Sequence, residues 1–150
     1  SNDGQGKHLL SPNSKGQVLA FERAFAEQDA RVSEIDYVEC HATGTPLGDQ
    51  TELNSMETFF GAGNVSPMLG SVKSNLGHLL TAAGMAGMIK TILAMRNGRI
   101  PATIAVETPL VSKEGKIGGD KIVNGATQWP ANISAISAQA IPTAAAAWPD

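Results

Sequence analysis

Glu39-Cys40-His41-Ala42-Thr43-Gly44-Thr45-Pro46-Leu47-Gly48-Asp49, followed at a distance by Gly70-Ser71-Val72-Lys73-Ser74-Asn75-Leu76-Gly77-His78, decides how the chain is read. Ile35 to Cys40 alternates and is β-prone, so it reads as a strand that delivers His41 at its C-terminal end. Two glycines and Pro46 then force a turn between Thr43 and Gly48. Asp49 sits where an N-cap belongs, with Glu52 three residues on as its capping-box partner, and Leu53, Met56 and Phe60 give the following helix a buried stripe.

The same logic extends outward. Pro67 to Val72 reads as a second short strand, and Ser74 to Gly77 turns the chain into a long helix from about Leu79 to Arg96, stopped by Asn97-Gly98 and Pro101. Upstream, Val18, Phe21 and Phe25 recur at helical spacing and predict an amphipathic helix over 16–29, preceded by a Gly- and Ser-rich loop. Past Pro101 the periodicity fades: 106–119 is polar and glycine-containing, and 122–129 and 133–137 read as strands. Helices alternating with strands that end in polar residues argue for an α/β layered fold.

Composition narrows the function. The 150 residues are 42% hydrophobic and 17% charged, enough for one sizeable core. A net charge of -3 and a sequence pI near 5.6 provide no field for a phosphate backbone, so nucleic acid is a poor partner. One cysteine, Cys40, rules out an internal disulfide framework, and Ser1-Asn2-Asp3-Gly4 does not read as a signal peptide; a cytoplasmic setting is expected. Leu79 to Met95, at 17 residues with Lys90, Gly84 and Gly87 inside it, reads as a helix buried in protein rather than a membrane span. The two glycines predict close approach of another element.

Four residues carry the chemistry. His41 is either a catalytic imidazole on a rigid strand end or a histidine hydrogen-bonded in a turn. His78, ahead of the long helix, lies near the positive end of its dipole, which disfavours the protonated ring and leaves a neutral donor for a developing oxyanion; the alternative is a plain helix cap. Lys73, at the end of an apolar strand, calls for a carboxylate partner, and Glu52 is the candidate. Cys40 beside His41 invites a nucleophile-and-base reading, but adjacent residues on a strand face opposite ways, which disfavours that contact and favours packing for Cys40. No metal-ligand spacing is present, and the glycines form no nucleotide-binding pattern.

These two motifs, in this order, resemble the β-ketoacyl synthases, the condensing enzymes of fatty acid and polyketide assembly. The resemblance runs from about Asp3 to Ser137, includes Ala82-Ala83-Gly84-Met85-Ala86-Gly87, and is closest to ketosynthases of multidomain polyketide or polyunsaturated fatty acid synthases. It implies a thiolase-like α/β fold of which residues 1–138 are the C-terminal half. It also implies an activity: decarboxylative condensation of an acyl thioester with malonyl-acyl carrier protein. His41 and His78 would bind the enolate oxygen, Lys73 and Glu52 would set the local field, and Thr43 and Thr45 would touch the phosphopantetheine arm, with no cofactor bound directly. The implied partners are acyl carrier protein, the missing N-terminal half and, in the parent protein, a second copy. The family's nucleophilic cysteine belongs to that absent half, so the chain alone is expected to be inactive; a noncatalytic, chain-length-factor-like module is the alternative. The glycine-rich, histidine-containing loop expected after Ile133-Ser134-Ala135-Ile136-Ser137 is replaced by the alanine-rich stretch 139–150.

Overall fold

A parallel strand pair organises the chain. The computed structural model describes residues 12–26, 31–129 and 136–138. Strand β1 (Tyr37–Glu39) lies between β2 (Met68–Gly70) and β5 (Ile136–Ala138), both parallel to it, with Tyr37 opposite Met68 and Ile136. Parallel neighbours need a crossover, and between β1 and β2 it is helix α2 (Pro46–Gly61). The other elements are α1 (Ser14–Ala26), the one-turn α3 (Lys73–Leu76), α4 (Ala83–Asn97), and β3 (Arg99–Ile100) paired antiparallel with β4 (Thr127–Gln128).

The two faces of β1 feed different parts of the core. Val38 and Cys40 join Phe21, Leu53, Met56, Phe60, Leu69 and Ile117 on the side of α1 and α2. Tyr37 points the other way, into a cluster with Ala94, Ile100, Val123 and Trp129, as the two-residue period of a strand requires. The stripe Leu53, Met56, Phe60 is buried as its spacing predicts. Phe21 stacks on Phe59 with ring centres 5.1 Å apart, which seats α1 on α2.

Helix α4 shows how partial the core is. Ala83, Gly87, Thr91 and Ala94 are buried, whereas Met85, Met88, Ile89, Ile92 and Leu93 are all exposed. The sequence reading of a helix enclosed by protein therefore holds for one face only. The close approach expected at the glycines is seen at Gly87, where an added Cβ would stand 3.0 Å from Glu39 Cγ. Gly98 ends the helix in the left-handed conformation (φ 63), its N–H reaching Ala94 and Met95 carbonyls. Among the described residues no helix is long and apolar enough to cross a membrane.

Other expectations are corrected. Helix α2 begins at Pro46 with Thr45 as N-cap, so Asp49 lies inside its first turn and forms no capping box with Glu52; proline at the first helical position has no N–H to leave orphaned, which lets the helix start early. Asp49 instead accepts the N–H groups of Thr43 and Gly44, both at 3.1 Å, and folds the preceding loop back on the helix. The long helix starts at Ala83, after a 3-10 turn over Leu80–Ala82. The strand expected over 122–129 shrinks to Thr127–Gln128, with a single parallel bridge from Ile122 to Leu69. Of the strand at 133–137, residues 133–135 lie outside the described residues, as do the stretches 1–11 and 139–150.

Candidate active site

Glu52 shows how the site is tied together. Its buried carboxylate accepts the backbone N–H of His41 at 2.7 Å and of Ala42 at 2.9 Å. Burial pushes its pKa above the usual carboxylate value, against those two hydrogen bonds, which pull it down. The carboxylate thus fixes the backbone on which His41 is mounted. It forms no ion pair with Lys73 among the described residues, so the pairing expected from the sequence is corrected: both oxygens are taken by amide donors. Lys73 and Glu52 still feel one another's charge. Desolvation lowers the Lys73 pKa, while Glu52, Glu39 and Cys40 oppose that shift.

His41 and His78 meet. Their ring centres are 5.4 Å apart and the planes stand at 86°, an edge-on contact. Desolvation, with the positive potential of Lys73 and His78, lowers the His41 pKa from 6.5 to about 4, so the ring is neutral near pH 7. Its Nδ1 is buried and has no hydrogen-bond partner among the described residues. His78 is exposed, and its Nδ1 accepts the N–H of Leu80 at 3.0 Å. That bond caps the 3-10 turn and at the same time leaves Nε2 as the proton-bearing nitrogen of the neutral ring.

Backbone strain flanks both rings. Ala42 (φ 28) and Leu80 (φ 49) hold positive φ values that L-residues rarely adopt, next to His41 and two residues past His78. Gly44 and Gly77 take positive φ at no such cost.

A cleft of about 550 Å³ opens beside the pair. Thr43, Asp49, Glu52, Lys73 and His78 line it, together with the segment Thr103 to Leu110. His41 is not among the lining residues but touches His78, which is. Thr45 is also outside the lining, although its hydroxyl lies 3.2 Å from that of Thr43. Cys40 reaches the cleft edge but packs in the core with 6% exposure, and burial raises its thiol pKa well above the ordinary value. These are the surroundings of a packed thiol.

Sequence reasoning missed the buried ion pair of Glu39 with Lys90, 2.9 Å apart. A lone lysine inside an apolar helix was the signal, since such a charge needs a partner.

Residues 1–107 match the family described as β-ketoacyl synthase, C-terminal domain. The chain belongs to that family. Among its relatives is erythronolide synthase EryA3 of Saccharopolyspora erythraea, 39% identical over 132 residues, which are 86% of this chain and 4% of the synthase. Among solved structures, the PfaC keto synthase-chain length factor superposes with a TM-score of 0.84 at 60% identity, covering 87% of this chain and 14% of that one. The oxazolomycin ketosynthase domain OzmH KS8 of Streptomyces albus superposes with a TM-score of 0.76 at 30% identity, covering 87% of this chain and 36% of the other. The fold is thus the C-terminal portion of a thiolase-like ketosynthase domain, and the chain spans a small share of these relatives' length.

Proposed function

We propose that this segment supplies the decarboxylation half of a ketosynthase active site. The carrying observation is the edge-on pair of His41 and His78 beside Lys73 at a cleft large enough for a thioester. In this reading a malonyl thioester on the phosphopantetheine arm of acyl carrier protein enters the cleft along Thr43 and Thr45. Loss of carbon dioxide leaves the electron pair of the broken C–C bond as an enolate. The imidazoles of His41 and His78 then stabilise the enolate oxygen, His78 from the cleft lining and His41 through the ring contact behind it; the His41 ring, which titrates near pH 4, is uncharged and a poor base at pH 7. Lys73 adds positive potential, and Glu52 holds the His41 backbone in place.

The enolate carbon next attacks an acyl thioester carbonyl, a C–C bond forms, and a cysteine thiolate leaves. That cysteine comes from ketosynthase sequence outside these 150 residues, since Cys40 is buried and protonated, so the isolated chain does not condense. The exposed face of α4 is where the remaining ketosynthase fold would pack, and the completed domain would dimerise. A chain-length-factor-like role is favoured by the names of two structural relatives, the PfaC protein and the ishigamide ketosynthase/chain length factor, which join both functions; the histidine pair and Lys73 favour catalysis.

The test is to graft the segment in place of its counterpart in the PfaC protein and follow carbon dioxide release from malonyl-acyl carrier protein. The graft should decarboxylate, and His78→Ala should lower the rate at least a hundredfold, the usual scale for losing an oxyanion donor. Equal rates for the two would refute the reading.

A further inference from the structure

The segments that carry His41, Lys73 and His78 meet at a buried polar junction outside the cleft. Lys90 Nζ, on α4, donates to Glu39 Oε2 and to the Tyr37 hydroxyl, both at 2.9 Å. The Tyr37 hydroxyl donates to the same Glu39 oxygen at 2.6 Å, and Glu39 Oε1 accepts the N–H of Val72 at 2.5 Å. The Lys90 and Glu39 side chains are 8% and 4% exposed. A buried ion pair adds little net stability over apolar side chains of the same volume, so its place in the fold is the more informative feature.

That place is specific. Glu39 stands two residues before His41 on β1. Val72 is bonded directly to Lys73. Lys90 lies on the helix that follows the His78 turn. Two glycines make the approach possible: a Cβ at Gly87 would press on Glu39 Cγ at 3.0 Å, and one at Gly70 would overlap the Tyr37 hydroxyl. One carboxylate thereby ties three separate backbone segments at fixed distances.

We propose that Glu39, clamped by Lys90 and Tyr37, is a positioning residue that holds His41 and Lys73 in register with His78. The inference rests on the catalytic reading above for its consequence, but the geometry is testable without turnover. Removing one charge of the pair strands the other, so the informative variant is Glu39→Gln combined with Lys90→Met, which deletes both charges at nearly constant volume.

In the 150-residue chain this double variant should keep the wild-type urea midpoint yet lose the nuclear Overhauser contact between the His41 and His78 ring protons. In the PfaC graft it should lower kcat at least tenfold with KM unchanged within twofold. A double variant that keeps the ring contact and the wild-type kcat overturns the proposal. Should the wild-type graft prove inactive while the ring contact is present in the chain and lost in the variant, positioning stands and the catalytic reading falls. Tyr37→Phe, which deletes one hydroxyl and leaves the ion pair, covers the case where the double variant does not fold: a threefold or larger fall in kcat supports the clamp, or, in an inactive graft, a weakened ring contact does; no change in either overturns it.

Discussion

Replacing Glu52 by glutamine isolates the contribution of a single carboxylate oxygen at the base of the site. The wild-type side chain accepts two backbone hydrogen bonds, from His41 at 2.7 Å and Ala42 at 2.9 Å, in a buried setting. A hydrogen bond to a charged group contributes about 1.5–3 kcal/mol, and a buried donor left unsatisfied costs about 1–3 kcal/mol. Glutamine keeps one acceptor oxygen and turns an NH2 toward the other N–H, so one bond is lost and one amide is stranded with no change in volume. The sum is about 2.5–6 kcal/mol, a large share of the stability of an ordinary domain. Urea denaturation followed by circular dichroism measures it. Amide hydrogen exchange at His41 and Ala42 locates it, because both amides should exchange much faster in the variant while those of α1 follow only the global loss. A Glu52→Gln chain within about 0.5 kcal/mol of wild type, the range of neutral surface changes, with those two amides still protected, would refute the assignment of Glu52 as the anchor of the His41 backbone.

Glu57 anchors the loop after the cleft wall, accepting the Ser112 hydroxyl and the N–H groups of Glu114 and Lys116; Glu57→Ala should destabilise the chain by about 2–4 kcal/mol and raise proteolytic cleavage within 111–117, and an unchanged cleavage pattern would contradict this. Ala42→Gly removes a strained positive φ that costs about 1–2 kcal/mol against an entropic penalty of about 0.5–1 kcal/mol, so the urea midpoint should rise, and a clear fall would count against strain at that residue. The open face of α4 should make the isolated chain self-associate, and Ile89→Glu with Ile92→Glu should return it to monomer by analytical ultracentrifugation; a wild-type chain that is monomeric at 100-micromolar scale would show that the face needs no cover.

Much of this arrangement was legible because it rests on local rules. The stripe of Leu53, Met56 and Phe60 follows helical spacing, Gly98 ends α4 as a left-handed cap, and both histidines fall at the ends of regular elements. What the sequence hid are the long-range claims on polar groups. Asp49 has the identity and spacing of an N-cap, but a loop bent by Gly44 brings two amides to it, and an early helix start at Pro46 makes the cap unnecessary. Glu52 looks like the natural partner of Lys73 until its oxygens are found occupied by backbone donors. The buried pair is Glu39 with Lys90, 51 residues apart in the chain. The stretch beyond Pro101 resisted reading for a related reason: Glu57, Asn54 and Gln50 on α2 hold its backbone through side-chain hydrogen bonds, which leave no hydrophobic period to detect.

The proposed chemistry requires His41 to be uncharged and in contact with His78 at working pH. A folded pKa of about 4 against 6.5 means that the unfolded chain binds more protons between those values. The neutral ring's contribution is therefore complete above about pH 6.5 and is lost as pH falls toward 4. It amounts to about 1–2 kcal/mol once the shift is discounted for solvent screening of a half-exposed ring. Nitrogen-15 NMR of the histidine-labelled chain reads both rings directly across that range. The structure predicts a His41 midpoint near 4, a His78 proton on Nε2, and a ring-to-ring contact at pH 7; a His41 midpoint at 6.5 or above with no contact between the rings would contradict it.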